Sequence, residues 1–355
     1  MKHHNKLKAT CLVAATLLVP FAASAEDFSA TIAAGHPPVF RWVKMLPEAF
    51  IPTVQAELAK SGHTMTFTEQ YGGAIAGVGE EFEASEAGLA ELSICSSLFD
   101  AAKLPLQNVT YYTPFVSDNA RLVNDLVAKL QREDPRMQAS YTENNNVNIG
   151  GAVGIDDYML MTNFPVNSLA DLNGRKIAAP GPAINWLSGT GAVGVAGNLT
   201  TYYNELKTGV YDGVIVFASA ALPGKLYEVA PYITRAGLGA QYSGSICANK
   251  DWYEALPAEA KTALSNGADA AQAWYMDALE VASETALKTM AENGATITIA
   301  SDEMRKEWAD GMDNAAQTWA KSLDDQGKPG SAILSVYMEG MRAAGAKPVR
   351  DWDKE

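Results

Sequence analysis

The alternation of apolar and polar residues predicts strands and helices that follow one another regularly through the first half of the chain. Phe28–Ala34 and Thr64–Tyr71 have the pattern of strands, and Leu92–Cys95 is a short apolar run of the same kind. Between the first two strands, Val43–Lys60 carries apolar residues at helical spacing. This repeated order of strand, helix and strand is typical of an α/β fold with a mostly parallel sheet.

The last third of the chain changes character and predicts long helices. Ala258–Asn293 is rich in Ala, Glu, Met and Leu and contains no proline, which favours one or two long helices. Gly294–Ile299 is predicted as a strand, Ser301 begins a further helix with a capping signature, and Ser331–Ala344 is helical. A helix as long as the first of these could run across two lobes and brace them.

The central stretch, Asp156–Phe217, reads as a βαβ-type module. Tyr158–Met161 and Ile177–Pro180 are short strands on either side of a capped turn, and Val214–Phe217 is a strand that follows a helix ending at Gly209. Such modules bind ligands at the carboxyl ends of their strands. We therefore expect this stretch to form one wall of a binding cleft.

Residues 1–25 have the features of a secretory signal peptide. Three lysines precede the apolar run Ala9–Phe21, and the small residues Ala23–Ala25 form a cleavage site. The run is too short for an ordinary transmembrane helix, and no convincing lipid-attachment box precedes Cys11. We expect a periplasmic protein without a lipid anchor.

Charge and composition narrow the function further. Removal of the three lysines of the signal lowers the formal net charge from −14 to −17, which argues against nucleic acid or an anionic membrane as a partner. The remaining length exceeds a usual single core and favours two lobes. With only His36 and His63 left, a zinc site is not expected. Although export permits a disulfide, we interpret Cys95 and Cys247 as two separate buried side chains.

Motifs of catalysis and of cofactor binding are weak. Gly189–Gly194 fits G-x-G-x-x-G, but no strand directly precedes it, so glycine-rich packing explains it better than a dinucleotide. The adjacent Asp156 and Asp157 would face opposite sides of a strand, which does not make an acid/base pair. We expect no cofactor, no metal, no catalytic residue and no enzymatic activity.

Several motifs, in order along the chain, resemble the solute-binding proteins of TRAP (tripartite ATP-independent periplasmic) transporters of the DctP type. The matching pieces are Gly35-His36, Glu81–Gly88 with Leu92–Ile94, Pro114-Phe115, Ser168–Pro180 and Leu206–Gly213. The resemblance implies a two-lobed periplasmic-binding-protein-like α/β fold, with crossing strands and a long helix bracing both lobes. A solute would be buried between the lobes and delivered to membrane subunits. We assign 26–155 and 243–283 to lobe I, and 156–242 and 284–355 to lobe II.

The polar anchors that the resemblance implies are missing from this chain. Where the family usually places an arginine that clamps a carboxylate, this sequence has Ala178, and a second arginine position falls on Tyr158. The family's asparagine position falls on Val216. We therefore expect an amine, an amino alcohol or another neutral polar solute, and an organic acid stays the alternative.

Other residues are predicted to contact the solute. Asp156 and Tyr158 are two apart, would share one face of a strand, and could hold an ammonium group by charge and cation–π contact. The opposing interpretation makes Tyr158 and Trp186 core residues and Asp156 a solvated strand end. The remaining candidates are Phe40, Gly73, Ala74, Ser96, Ser97, Phe115, Asn185 and Trp186.

The sequence thus favours a periplasmic receptor that binds one small solute and closes by hinge motion. A secreted α/β enzyme on the same fold and a sensor that signals to a membrane kinase stay open as less favoured alternatives.

Overall fold

The computed structural model of the protein describes residue 1 and residues 26–355. The predicted signal peptide therefore lies almost wholly outside the described residues. Within the described part, the chain forms two mixed β-sheets with helices packed around them.

The first sheet has five strands in the order β2-β1-β3-β10-β4. Its central strand β3 pairs in parallel with β1 and antiparallel with β10. The strands are β1 (Asp27–Ala34), β2 (Thr64–Tyr71), β3 (Leu92–Ser96), β4 (Asn146–Ile155) and β10 (Gln241–Asn249).

The second sheet has six strands in the order β11-β9-β5-β8-β6-β7. Here β5 runs antiparallel to both of its neighbours, β8 and β9, whereas the β6–β7 and β6–β8 pairs are parallel. The strands are β5 (Tyr158–Thr162), β6 (Lys176–Ala179), β7 (Val193–Ala196), β8 (Gly213–Phe217), β9 (Tyr232–Arg235) and β11 (Thr296–Ile299).

Twelve α-helices surround the sheets in the described part of the chain, with short 3₁₀ segments at Leu106–Tyr112, Leu169–Leu172, Gly181–Leu187 and Leu226–Glu228 and a π-helical turn at Leu46–Phe50. They are α1 (Arg41–Met45), α2 (Ile51–Ala59), α3 (Glu81–Glu86), α4 (Ala120–Glu133), α5 (Pro135–Thr142), α6 (Tyr202–Lys207), α7 (Ala218–Ala221), α8 (Lys250–Ala255), α9 (Ala258–Glu292), α10 (Asp302–Gly311), α11 (Ala315–Asp325) and α12 (Gly330–Ala343).

The long helix α9 packs against both sheets, as the sequence predicts. It contacts β4 and α2 beside the first sheet, and α7 and β11 beside the second. The hydroxyl of Tyr275 donates to the Gly154 carbonyl (2.6 Å), and Gln272 accepts from the backbone N–H of Ala152 (3.1 Å). Gly267 permits the close approach to α2, because a Cβ there would lie 2.5 Å from the Val54 side chain. The helix therefore braces the crossing strand β4.

The strand boundaries largely follow the predicted pattern, but the strand directions do not. Both sheets are mixed, whereas the sequence pattern predicts a mostly parallel sheet. The reason is that β5 and β10 continue chain segments that cross from one sheet to the other and so run against their neighbours. The pattern also missed β7, β9, α5 and α11. β7 begins within the glycine-rich stretch that we interpret as packing.

The interpretation of Cys95 and Cys247 as separate side chains is wrong. They form a disulfide between β3 and β10, with their Cα atoms 5.8 Å apart. Antiparallel pairing places Ser245 opposite Cys95 and Cys247 opposite Ser93, so the two cysteines are diagonal neighbours. The sequence separation of 152 residues concealed this pairing.

Candidate ligand-binding site

A cavity lies between the two sheets, at the ends of β1 and β3 in the first sheet and of β6 and β8 in the second. Most of its lining is apolar or aromatic. The side chains that line it are Ala34, His36, Trp42, Val43, Glu81, Ile94, Ser96, Leu98, Phe99, Val153, Ile155, Tyr158, Pro180, Leu199, Tyr202, Ile215, Val216, Phe217 and Ser243, together with Gly244. No lysine or arginine is among them.

Aromatic rings form a continuous arc from one sheet to the other. The ring of His36 meets Trp42 edge-on at 5.4 Å, and Trp42 lies 5.8 Å from Phe217 across the cavity. Phe217 in turn contacts Tyr158 at 5.1 Å, with the two ring planes at 65°. Such rings offer π-faces and edges to a cation or an apolar group.

Glu81 is the only acidic side chain of this cavity, and it is almost fully buried. Its two carboxyl oxygens accept backbone N–H groups of Gly35 (3.0 Å) and Gly79 (2.6 Å). Gly35 allows this close approach, since a Cβ there would lie 2.5 Å from the Glu81 oxygen. Burial raises the pKa of Glu81 to about 7. A bound cation beside it would stabilise the charged form and lower that pKa.

His36 follows β1 and lines the same cavity as Glu81, and its chain neighbour Gly35 donates to the Glu81 carboxyl. Its Nε2 atom is buried and has no hydrogen-bond partner among the described residues. Burial lowers the pKa of His36 to about 4, so its imidazole is uncharged at neutral pH. Because an unpaired buried nitrogen is costly, a polar group of a bound solute is its natural partner.

Two serines complete the polar part of the cavity. Ser96, at the end of β3, and Ser243, in β10, bring their hydroxyl oxygens to 3.3 Å of each other. The Ser96 hydroxyl also lies 3.4 Å from the Ser243 carbonyl oxygen. Either hydroxyl can rotate to donate to or accept from a ligand.

The two sheets touch directly at one rim of the cavity. Gly181, which follows β6, has φ +49°, and a Cβ on it would lie only 2.5 Å from the Leu98 carbonyl oxygen. Leu98 follows β3 and belongs to the cavity wall, as does Pro180 beside Gly181. Only glycine permits this approach between the two sides.

Residues 59–323 match the family described as bacterial extracellular solute-binding protein, family 7 (DctP). This chain belongs to that family. The resemblance to DctP-type solute-binding proteins that the sequence motifs indicate is therefore confirmed.

Individual relatives match over shorter stretches. The ectoine/5-hydroxyectoine-binding periplasmic protein UehA of Ruegeria pomeroyi is 32% identical over 143 residues, which cover 40% of this chain and 41% of UehA. The ectoine-binding periplasmic protein TeaA of Halomonas elongata is 28% identical over 143 residues, with the same coverage. The chain thus spans about two fifths of the length of the curated relatives it matches.

Solved structures show the same fold. DctP7 of Bordetella pertussis, an extracytoplasmic solute receptor binding pyroglutamic acid, has a TM-score of 0.76 and 19% identity, covering 87% of this chain and 99% of DctP7. A TRAP periplasmic solute-binding protein of Roseobacter denitrificans with bound β-D-glucuronate has a TM-score of 0.74 and 16% identity, with coverage of 87% and 99%. The predicted two-lobed α/β fold is confirmed, whereas the lobe boundaries stay a prediction. No helix within residues 26–355 is long and apolar enough to cross a membrane.

Three of the twelve predicted solute contacts lie on the cavity wall: Ser96, Tyr158 and Val216. The hydroxyl of Tyr158 pairs with the hydroxyl of Tyr111 at 3.0 Å, so Tyr158 offers mainly its ring to the cavity. Phe40 lies one layer behind the wall and stacks on Trp42 at 4.7 Å.

Asp156 faces away from this cavity, contrary to the expectation that it shares a strand face with Tyr158. β5 begins only at Tyr158, and Asp156 belongs to the irregular crossover after β4. Its carboxyl oxygens accept the N–H (3.1 Å) and the hydroxyl (2.6 Å) of Ser219 in α7. Burial raises the pKa of Asp156, and the hydrogen bonds from Ser219 oppose that effect. The structure therefore places Asp156 at the junction of the sheets.

Ala178 and Trp186 are fully buried outside the cavity. Ala178 packs in the core of the second sheet, in the same buried cluster as Tyr202 and Tyr211. Trp186 stacks on Tyr111 with ring centres 5.9 Å apart, and its Nε1 donates to the Tyr111 carbonyl at 2.7 Å.

The other five predicted contacts are also placed elsewhere. Asn185 donates to the Pro182 carbonyl (2.9 Å) and borders a separate surface groove. Phe115 is buried against Trp308, and Ser97 donates to the Ser243 carbonyl (3.1 Å). The remaining two, Gly73 and Ala74, lie in the exposed loop after β2.

The sequence reasoning did not select several residues that line the cavity. His36 and Glu81 lie in the motifs that carry the family resemblance, but nothing in the sequence distinguishes them there from structural residues. Trp42 and Phe217 sit in apolar segments whose pattern indicates only burial.

Proposed function

We propose that this protein is the periplasmic receptor of a TRAP-type transporter for a small solute with a neutral or cationic nitrogen group, rather than for a simple carboxylate. The observation that carries the proposal is the lining of the cavity. It contains a buried carboxyl, an uncharged imidazole, two serines and an arc of aromatic rings, and it has no lysine or arginine.

The chemistry of these groups favours a nitrogen-containing solute. A carboxylate ligand buried here would meet the Glu81 carboxyl without a compensating cation, which costs free energy. An ammonium or amide group would instead gain a charge-assisted or neutral hydrogen bond at Glu81 and contact with the rings.

The relatives support the receptor role, and the solutes that they bind include both nitrogen-containing molecules and carboxylates. Ectoine, which UehA and TeaA bind, combines a cationic amidine with a carboxylate, pyroglutamate combines a neutral lactam N–H with a carboxylate, and glucuronate is a carboxylate without nitrogen. An organic acid held by backbone N–H groups and hydroxyls is therefore the second candidate for this chain. Delivery to membrane subunits follows from the proposed receptor role.

A thermal-shift screen tests the proposal. The exported protein is stripped of bound solute by unfolding and refolding, and is then heated with amines, amino alcohols, polyols, ectoine, pyroglutamate and uronates. A solute at about 100 times its Kd stabilises by roughly 2.7 kcal/mol, which raises the Tm by about 5 °C for a chain of this size.

We expect the amines, the amino alcohols or ectoine to give the largest shifts. If only the uronates, which contain no nitrogen, raise the Tm, the proposed solute class is wrong and the receptor role stands. Recovery of the hit as a chemically altered product would indicate the enzyme alternative instead.

A further inference from the structure

The polar groups of the cavity all belong to the side of the first sheet. His36 follows β1, Glu81 begins the helix between β2 and β3, Ser96 ends β3, and Ser243 lies in β10. Gly35 joins two of them, because its N–H donates to the Glu81 carboxyl beside His36. We call these four side chains the polar half of the cavity; the same side also carries apolar residues such as Trp42, Ile94 and Phe99.

The wall from the second sheet offers no free polar side chain. The Tyr158 hydroxyl pairs with Tyr111, and the Tyr202 hydroxyl donates to the Gly197 carbonyl at 3.4 Å. The other side chains of this wall carry only carbon atoms: Pro180, Leu199, Ile215, Val216 and Phe217. These residues form the apolar half.

Two groups of the polar half have hydrogen-bonding capacity to spare. A carboxylate has about four lone-pair positions, and Glu81 uses two of them for the N–H groups of Gly35 and Gly79. The Nε2 atom of His36 is buried without a partner. Both the Glu81 carboxyl and the His36 Nε2 atom can therefore form further hydrogen bonds, for which the described residues supply no partner.

We infer that the solute is two-faced, with an ammonium or N–H group that binds Glu81 and His36 and an apolar body that packs against the wall of the second sheet. This inference rests on the proposed function and adds the shape of the solute to it. The first sheet would then hold the solute by its polar end, and the second sheet would close over its apolar face and exclude water.

Four small molecules test separately the polar end and the apolar body that we infer for the solute. Cyclohexylmethylamine, cyclohexylmethanol and cyclohexanecarboxylate share one apolar ring and differ in the charge of the head group. Serinol carries an ammonium group and two hydroxyls without an apolar body. Isothermal titration calorimetry of the refolded protein gives the Kd of each.

Cyclohexylmethylamine is expected to bind at least about tenfold more tightly than serinol and than cyclohexanecarboxylate. Serinol binding as tightly as the ring amine would overturn the two-faced solute and leave the nitrogen class of the proposed function intact. The carboxylate binding tightest would overturn the proposed function itself.

Substitution of Glu81 tests the polar half. Glu81→Gln should weaken cyclohexylmethylamine by about tenfold or more, while the Kd of cyclohexylmethanol changes by less than about threefold. Glu83→Gln is the matched control, because Glu83 lies on the same helix with an exposed side chain. Equal weakening of the amine and the alcohol would indicate a structural role for Glu81 and overturn its assignment as the anchor.

A pH titration of the unaltered protein tests Glu81 without any substitution. With the pKa of Glu81 raised to about 7, the amine should bind about tenfold more weakly at pH 6 than at pH 8, because the carboxyl must ionise to hold the cation. Of the other titratable groups nearby, His36, with a pKa of about 4, and Tyr158 and Tyr202, with pKa values well above 10, keep their charge in this range. Burial raises the pKa of Asp157, next to Tyr158, to about 7 as well, so the titration is repeated with Asp157→Asn as the control. Equal affinity at both pH values would contradict the assignment.

Discussion

Two buried acidic residues next to aromatic rings show how the surroundings of a side chain determine its role. Asp156 and Glu81 are both nearly inaccessible, and burial raises the pKa of each. Each carboxyl accepts two hydrogen bonds from the protein, but Asp156 is held by Ser219 outside the cavity between the sheets, whereas Glu81 lines that cavity. Their chemical type is the same, and only their surroundings give one a structural role and the other a binding role.

Replacement of Asp156 should therefore affect stability and not binding. Asp156→Ala leaves the N–H and the hydroxyl of Ser219 without their acceptor in a buried position, which should lower the free energy of unfolding by about 1–3 kcal/mol. Urea denaturation measures this loss, and calorimetry with cyclohexylmethylamine measures the affinity.

Asp325→Ala is the control, since Asp325 is exposed at the end of α11. A large loss of amine affinity in Asp156→Ala, with the free energy of unfolding unchanged, would show that Asp156 binds the solute, as the sequence predicts.

At the scale of elements, the disulfide joins the two strands that carry two of the four polar side chains of the cavity. Cys95 precedes Ser96 in β3, and Cys247 lies in β10, which also carries Ser243. Both cysteines are completely buried with Phe82, Leu104 and Tyr141 around them. The covalent link therefore fixes the spacing between the two serines.

Removal of the disulfide should destabilise the protein substantially. In the chain-entropy account, a link that closes a loop of 152 residues stabilises by about 4–5 kcal/mol. The double variant Cys95→Ala with Cys247→Ala should show this as a lower urea midpoint than the oxidised protein.

The reduced wild-type protein serves as the comparison, because it keeps both sulfur atoms and loses only the bond. Two free thiols per chain, found after unfolding the periplasmic protein without reductant, would show that the bond does not form.

At the scale of the whole molecule, closure of the cavity depends on backbone contact between the two sides. Leu98 and Gly181 approach from the first and the second sheet, and Trp42 meets Phe217 across the space between them. A contact that only glycine allows limits how far the two sides can come together. The affinity for a solute then depends also on Gly181, which does not line the cavity.

Gly181→Ala should hold the cavity partly open. Its Cβ would lie 2.5 Å from the Leu98 carbonyl, so the two sides must separate. We expect a larger radius of gyration by small-angle X-ray scattering and an affinity for cyclohexylmethylamine that falls by about tenfold.

Gly174→Ala is the matched control, because Gly174 also has a positive φ (+73°) but has open space where its Cβ would be. Both variants carry the cost of alanine in the left-handed region, roughly 1–2 kcal/mol. Identical radii of gyration and affinities in the two variants would show that the contact does not control closure.

The sequence by itself determined most of the strands and helices in their order, the long helix, the two-lobed α/β fold and the family, because hydrophobic periodicity and short motifs are local properties of the chain. It did not determine the strand directions, which depend on how the chain crosses between the sheets. It also showed, at Ala178, that the usual arginine is missing. Which side chains meet in the cavity was decided only by the tertiary structure. Asp156 and Tyr158 are separated by the start of β5, and His36, Glu81 and Phe217 come together from distant segments. The disulfide was likewise decided only by the tertiary structure, because strand pairing across 152 residues leaves no local signal in the sequence.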